Sequence, residues 1–449
     1  MTIQFVNGPA QVSLDVKKVC VVGLGYVGLP AASMFAKAGF AVNGVDTDDR
    51  IVGAVNRGEV LIVEPGLAEL VRVQVADGRL IAARQPVPSD AFIIAVPTPF
   101  RHDGTHSPDV SFIESAIRSV AKVLKRGNLV VLESTSPVGT TRHIMEVIRS
   151  ARPDLRMPRP EEGIEGDIDF AYSPERVIPG STTHEIVTND RVIGGVTARA
   201  AQRTYALYKS FVTGECHITD DKTAEMVKLS ENAYRDLNIA YANELSVLCD
   251  RFGINVWEMI ELANRHPRVS ILSPGPGVGG HCISVDPWFL VAGAPDIARL
   301  IRTVREVNEY KPHYVYRTVE EAVARHPHAH IACLGLSYKP DIDDFRESPA
   351  LEIALRINAK WPGRVVAVDP NAHVLQERDT RAGALTYASF EEAMQRCGIV
   401  VALVPHAEFM LAERPDGKEL IDVAGVWAKS VGQSHVEQAT AGVQLWNAA

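Results

Sequence analysis

Lys18-Val19-Cys20-Val21-Val22-Gly23-Leu24-Gly25-Tyr26-Val27-Gly28-Leu29-Pro30 is an apolar run that ends in three spaced glycines. Lys18 to Val22 reads as a buried strand, and Ala31 to Ala38 as the helix after it. A second strand, Ala41 to Val45, ends at Asp46, 18 residues beyond Gly28. The glycines alone would be weak evidence. Strand, G-x-G-x-x-G turn, helix and acid together form a dinucleotide-binding fingerprint. Gly23 permits the tight turn, Gly25 leaves room for a pyrophosphate against the backbone, and Gly28 lets helix and strand pack closely. The helix N-terminus then faces the phosphate charge. A carboxylate at Asp46 accepts from the adenosine ribose hydroxyls and repels a 2′-phosphate, which favours NAD over NADP.

More strand–helix units follow. Ala91 to Val96 is a strand stopped by Pro97-Thr98-Pro99. Asn128 to Leu132 is another, leading into Glu133-Ser134-Thr135-Ser136-Pro137-Val138-Gly139-Thr140-Thr141 and a helix. Both loops leave the carboxyl ends of apolar strands, where open parallel sheets bind ligands. Thr98 and Thr135 are therefore candidate cofactor or substrate contacts, with N-capping of the next helix as the plain alternative. Residues 152 to 168 read as a surface loop. The strand Ile168 to Tyr172 follows, and Glu175 and Arg176 lie just past its end.

From Thr223 to about Phe252 the pattern is helical, without Gly or Pro. Its apolar stripes (Met226, Leu229, Ala233, Leu237, Ala240, Leu245) and its length suit a domain-bridging spine or a dimer helix. Lys228, Asn232 and Arg235 share one face, which reads either as solvated or as facing an anion. After a helix at Ile297 to Lys311 the strand–helix rhythm restarts at His330 to Gly335, Val365 to Asp369 and Gly398 to Val404. The first loop of this second doubly wound region lacks G-x-G-x-x-G. Lys339 stands in it as a point charge for phosphate.

Between the two regions lies Pro274-Gly275-Pro276-Gly277-Val278-Gly279-Gly280-His281-Cys282-Ile283-Ser284-Val285-Asp286-Pro287. Such a run makes neither helix nor central strand. It reads as a rigid loop presenting Cys282 at its end. Asp286 falls on the same face if a helical turn follows. The plain alternative is a tight turn with a small buried cysteine.

Length and composition bound the rest. The 449 residues allow two or three domains, and 46% hydrophobic with 22% charged residues is ordinary for a globular protein. A formal charge of −9 offers no basic stripe for nucleic acid. No apolar run approaches the ~18 residues of a membrane helix, and no signal-peptide pattern opens the chain. The six cysteines show no C-x-x-C pairing, which suits neither zinc nor a disulfide framework. No metal is expected, and the reducing cytoplasm is the expected compartment. Cys20 and Cys333, inside apolar strands, read as inert core thiols.

With these motifs in this order, residues from about 17 to about 428 resemble the UDP-glucose/GDP-mannose dehydrogenase family. The resemblance rests on Gly23 to Gly28, Ser134 to Thr141, Ser173-Pro174-Glu175, Lys228 with Asn232, Gly279-Gly280-His281-Cys282 with Asp286, and Gly335 through Arg346. Finer stretches (Ala95 to Phe100, Pro174 to Gly180, Ala263 to Val269, Pro274 to Val278) resemble bacterial members acting on UDP-N-acetyl-D-mannosamine. Members acting on UDP-glucose carry a second glutamate where this chain has Pro179, so that role does not transfer.

The architecture implied is α/β, with two doubly wound Rossmann-like domains joined by a central helical domain with one long spine helix. The expected parts are a flexible leader (1–16), an NAD-binding domain (17–215), a central helical domain (216–315) and a UDP-sugar-binding domain (316–449). The implied reaction is an NAD-dependent four-electron oxidation of a sugar C6 alcohol to a carboxylate, through a cysteine thiohemiacetal and thioester, for bacterial surface polysaccharide. UDP-N-acetyl-D-mannosamine is the expected substrate, and UDP-N-acetylglucosamine and UDP-glucose are the alternatives.

The resemblance makes Cys282 the nucleophile and puts Lys228 and Asn232 at the oxyanion. Asp286 and Thr135 would order water or hydroxyl protons, and Glu175 would be the base for thioester hydrolysis. The cofactor set is Gly23, Gly25, Tyr26, Val27, Gly28, Asp46, Arg50, Thr98, Thr135 and Arg346. The substrate set is Arg176, Val177, Lys228, Asn232, Arg235, His266, Arg268, Gly279, Tyr338 and Lys339. A homo-oligomer, a dimer built on the spine, is expected. The rivals are a two-electron hydroxy-acid dehydrogenase with a structural Cys282, and an idle NAD-sensing scaffold.

Overall fold

Eight short strands build the first sheet: β1 Lys18–Val22, β2 Ala41–Val45, β3 Leu80–Ala83, β4 Ala91–Ile94, β5 Leu129–Leu132, β6 Asp169–Tyr172, β7 Arg191–Gly195 and β8 Cys216–Asp220. Their order is β3-β2-β1-β4-β5-β6-β7-β8, so the chain reverses direction across the sheet between β1 and β4. Residues alternate between the faces. Val19 and Val21 pack in one core with Phe35 and Ile93, while Cys20 and Val22 pack in the other with Phe92 and Val130. Burial on both faces explains the continuous apolar runs of the sequence. One pairing breaks the parallel pattern: β7 runs antiparallel to β6. The amino end of β7 therefore lies beside the carboxyl end of β6.

A computed structural model describes residues 15–428 apart from 63, 102, 104, 179 and 281, and of Arg378 the backbone only. The leader expected over residues 1–16 falls outside this range except for its last two residues, as do Pro179 and His281. Val16 is buried, and Asp15 pairs with Arg203 at 2.9 Å. The chain divides into two compact units, Met1–Glu231 with Ala292–Pro295, and Asn232–Val291 with Asp296–Ala449.

The second unit holds an all-parallel sheet of β9 Ile331–Leu334, β10 Val365–Val368, β11 Thr386–Tyr387, β12 Ile399–Ala402 and β13 Glu419–Asp422. Its order is β11-β10-β9-β12-β13. Cys20 and Cys333 are fully buried, and burial pushes both thiols up to about 12.

Two helices differ from expectation. The one after β1 spans Gly28–Lys37, because Pro30 is tolerated in a first turn whose N–H groups lack intrahelical acceptors. The helix expected to stop at Lys311 runs over Arg299–Arg325, through Pro312. Pro312 deprives the Asn308 carbonyl of its donor. Side-chain bonds to the spine helix, Asp221–Phe252, offset that loss. Asn308 Nδ2 donates to Asp236 Oδ1 at 2.8 Å, and Lys311 Nζ to Ser246 Oγ at 2.6 Å. Among the described residues no helix is long and apolar enough to cross a membrane, and no three His, Cys, Asp or Glu side chains are grouped to hold a metal ion.

Candidate active site

The glycine turn of the first unit is built as a cradle. Gly23 adopts φ +97°, and a Cβ there would stand 2.3 Å from the Ala95 carbonyl oxygen. A Cβ on Gly28 would stand 1.9 Å from the Gly23 carbonyl oxygen, so the helix start is seated on the turn. Gly25 differs, with nothing within 4 Å of where its Cβ would be. That open backbone, continued by Tyr26 and Val27, is what a pyrophosphate needs. Asp46 accepts from Leu24 N through Oδ2 and from Asp48 N through Oδ1, each at 3.0 Å. The loop thus fixes its carboxylate, and each oxygen keeps a lone pair for a ribose hydroxyl. These residues fit a dinucleotide. Arg50 is exposed and its guanidinium forks onto Asp48.

Among the described residues, Thr98 Oγ1 and Ser136 Oγ are buried without a hydrogen-bond partner. The capping alternative fails for both candidate threonines. The helix after Thr98 starts at Ser111, and the helix after Thr135 starts at Thr140 with Gly139 as its N-cap. Thr135 is half-buried in the loop between. The loop is tied to the spine by Glu225, which accepts from Thr141 N at 2.8 Å and Thr141 Oγ1 at 2.7 Å. A carboxylate at a helix N-terminus is favoured by the helix dipole.

At the carboxyl end of β6 lies a buried charge cluster that the sequence did not disclose. Arg191, first residue of β7, reaches Glu133 Oε1 through Nη1 at 3.1 Å and bonds Glu175 Oε2 through Nη2. Tyr208 donates to Glu133 Oε1 at 3.1 Å, and its ring lies 4.3 Å from the Arg191 guanidinium. Glu175 Oε1 accepts from Arg176 N at 2.8 Å. Burial pushes the Glu133 carboxyl up to about 7; Arg191 pulls it down and Glu175 pushes it further up. Arg176 is half-buried and pairs with Glu231 at 2.6 Å, and Val177 beside it is half-buried. Glu64, also unforeseen, holds the segment that follows by accepting from Gly180 N at 2.9 Å and Thr182 N at 2.6 Å.

In the second unit the glycine–proline loop ends as the spacing anticipated. Asp286 N donates to the Cys282 carbonyl at 2.8 Å and opens the helix Asp286–Gly293, so Cys282 and Asp286 lie one turn apart. Cys282 is exposed, whereas the buried Asp286 carboxylate accepts from Asn232 Nδ2. Arg305 approaches the Ile283 carbonyl at 3.4 Å while paired to Asp236 at 2.8 Å. Gly279 is wedged against the loop after β9. A Cβ there would meet the Glu347 carbonyl oxygen at 2.5 Å and Tyr338 Cβ at 2.8 Å. Gly280 N donates to the Arg346 carbonyl at 3.2 Å. The cysteine loop and the Tyr338–Arg346 loop are thus one packed body.

Lys339 is half-buried in that loop, and the Arg346 guanidinium engages Asp344. Along the spine Lys228 and Asn232 are buried, while Arg235 is exposed. His266 and Arg268 are exposed, with Arg268 N donating to His266 Nδ1 at 3.3 Å.

Comparison with known proteins decides the family. The chain matches the models of the UDP-glucose/GDP-mannose dehydrogenase family for the NAD binding domain over residues 17–212, the central domain over 222–310 and the UDP binding domain over 332–429. The chain belongs to this family. It is an NAD-dependent oxidoreductase of the nucleotide-sugar dehydrogenase type. It is 51% identical over 420 residues to a UDP-N-acetyl-D-mannosamine dehydrogenase of Escherichia coli, covering 91% of this chain and 99% of that protein. It is 50% identical over 419 residues to an NDP-N-acetyl-D-galactosaminuronic acid dehydrogenase of Ralstonia nicotianae, covering 93% and 98%. Among solved structures, the UDP-D-ManNAc dehydrogenase of Pyrococcus horikoshii superposes with a TM-score of 0.81 at 37% identity, covering 91% of this chain and 99% of that one.

Proposed function

We propose that this dehydrogenase oxidises C6 of UDP-N-acetyl-D-mannosamine to the uronate, for surface polysaccharide, with Cys282 as the covalent nucleophile. The observation that carries the reading is the exposed Cys282 one helical turn before a buried Asp286 that is bonded to Asn232. An aldehyde has no leaving group. Addition of the Cys282 sulfur gives a thiohemiacetal, whose oxidation gives a thioester that water cleaves. NAD, held by the Gly23–Gly28 turn and Asp46, would supply the hydride acceptor for both oxidations. Lys228 and Asn232, one turn apart on the spine, stabilise the oxyanion, an effect of roughly 3–4 kcal/mol per donor in comparable sites. Asp286 and Thr135 order protons, and Glu175 is the base of the water step. The proposed organisation is that of the sequence reading, with the NAD, central and UDP-sugar parts in chain order. Arg176, Val177, Arg235, His266, Arg268, Gly279, Tyr338 and Lys339 are proposed for the substrate, and Arg346 for NAD.

The substrate follows from the resemblance around Glu175-Arg176-Val177 and Arg265-His266-Pro267-Arg268, and from the Escherichia coli relative. The Ralstonia relative, at nearly equal identity, favours an N-acetylgalactosamine nucleotide as the second reading. A panel of UDP-ManNAc, UDP-GalNAc, UDP-GlcNAc and UDP-glucose separates them. The expected kcat/KM is highest for UDP-ManNAc by at least about tenfold, the size of one pocket contact. A preference for any other sugar overturns the substrate while leaving the family intact.

Homodimerisation on the spine is proposed as well. Tyr234, Tyr241, Leu248 and Phe252 expose large side chains at steps of seven, seven and four along one helix. Such a stripe suits a helix–helix seam. Light scattering at micromolar concentration should give twice the chain mass or more. A fully active monomer would contradict it.

A further inference from the structure

The second unit repeats the carboxylate cradle of the first and fills it from within. In the first unit Gly23 N donates to the Val45 carbonyl at 2.7 Å, and Asp46 accepts from Leu24 N and Asp48 N at 3.0 Å each. In the second, Gly335 N donates to the Val368 carbonyl at 2.8 Å, and Asp369 accepts from Leu336 N at 2.7 Å and Asn371 N at 2.8 Å. Both glycines are left-handed, at φ +97° and +82°. β10, β9 and β12 stand in the order of β2, β1 and β4 in the first sheet. The difference lies in what covers the acid. Asp46 is half-buried, whereas the Asp369 side chain is fully buried, with His406 Nε2 3.3 Å from its Oδ2. His406 comes from the loop after β12 and is itself fully buried. Where the first unit leaves its acid to a ribose, the second closes it with an imidazole of its own.

We infer that His406 is a positioning residue for the UDP of the substrate, acting through the loop that carries Tyr338 and Lys339. This rests on the reading of those two residues as substrate contacts. The ring holds the loop at two points. His406 Nδ1 accepts from Asp341 N at 3.1 Å, and Nε2 lies 3.2 Å from Ser337 Oγ. Ser337 Oγ donates its own proton to the Lys339 carbonyl at 2.8 Å, so it accepts from the ring. The two contacts bracket Tyr338 and Lys339. Asp341 stands at φ +59°, a left-handed conformation that costs a residue with a Cβ and persists only where neighbours enforce it. Its Oδ1, 3.6 Å from His406 Nδ1, accepts from Ala407 N at 3.0 Å. One side chain, packed on Asp369, thus fixes the backbone on both sides of the lysine. Lysine is a point charge on a flexible stem, so its contact with a diphosphate gains from a backbone that is ordered before the ligand arrives.

Calorimetry with UDP as the probe, beside steady-state kinetics with UDP-ManNAc, tests this. His406→Phe fills the space and removes both polar contacts. Binding must then select the seated loop from a looser ensemble, so UDP affinity should fall at least about tenfold and KM for UDP-ManNAc should rise alike. Saturating substrate restores the seated loop, so kcat and the KM for NAD should stay within about threefold of wild type. His406→Asn puts an amide oxygen where Nδ1 stands and should bring UDP affinity back to within about threefold of wild type. His406→Gln keeps a polar tip for Ser337 but no acceptor for Asp341 N. It should bind UDP as weakly as His406→Phe, and it carries the test if the phenylalanine variant does not fold. Three results would each overturn the inference: wild-type UDP affinity in His406→Phe or His406→Gln, kcat falling as far as kcat/KM, or His406→Asn binding as weakly as His406→Phe. Lys339→Gln tells the two readings apart. If it binds UDP as wild type does, Lys339 is not a substrate contact and the inference falls with that reading. If it weakens UDP binding while His406→Phe does not, only the inference falls.

Discussion

Cys282→Ser is expected to lose about a thousandfold or more in uronate formation while retaining the fold. The change is nearly isosteric, and the residue is exposed at the end of a loop already fixed by its packing on Tyr338 and Glu347. Stability should therefore stay within about 0.5 kcal/mol of wild type. A serine hydroxyl is a far weaker nucleophile at neutral pH than a thiol, and its ester is a poorer acyl donor than a thioester. The first oxidation needs no covalent bond and should suffer less than the second. A quenched single turnover should show one NADH formed faster than uronate, and mass spectrometry should show any slow ester on Ser. Uronate formed at the wild-type rate would reduce the loop to a tight turn.

Gly28→Ala is expected to have the second large effect, on the fold itself. The added methyl would stand 1.9 Å from the Gly23 carbonyl oxygen and 3.2 Å from Ala95 Cβ. Neither neighbour can yield, because the Gly23 N–H is bonded to the Val45 carbonyl at 2.7 Å and Ala95 N to the Val22 carbonyl at 2.8 Å. The helix Gly28–Lys37 must shift from the sheet, at a cost of about 4 kcal/mol or more. A thermal melt should show the midpoint lowered by about 10 °C. Gly25→Ala is the control. Its methyl meets nothing within 4 Å, so the melt should match wild type. The methyl enters the proposed pyrophosphate space, so NAD affinity by calorimetry should fall at least about tenfold. Wild-type affinity in Gly25→Ala would remove the cofactor from this turn.

The contrast between these glycines shows what the sequence could carry. A strand, a glycine turn and an acid are local, so the Gly23–Asp46 unit was legible from spacing alone. The Cys282–Asp286 turn was legible for the same reason. The Arg191 cluster was not, because it depends on β7 reversing direction, and a strand–helix rhythm suggests only parallel neighbours. Glu64 and Glu225 were missed because a lone glutamate reveals nothing of the distant N–H groups it will accept from. Thr135 reads as a helix cap in the sequence because nothing local shows that Pro137-Val138-Gly139 delays the helix to Thr140. Pro312 read as a stop because its lost bond is local, whereas the Asn308 and Lys311 bonds that offset it reach the spine helix far away in sequence.

As the proposed covalent nucleophile, Cys282 would turn an alcohol oxidation into a four-electron reaction. NADH counted against uronate at complete conversion of a limiting amount of UDP-ManNAc tests it most directly. Two NADH are expected for each uronate, with no free aldehyde. One NADH per product, with the aldehyde or another two-electron product accumulating, would contradict it.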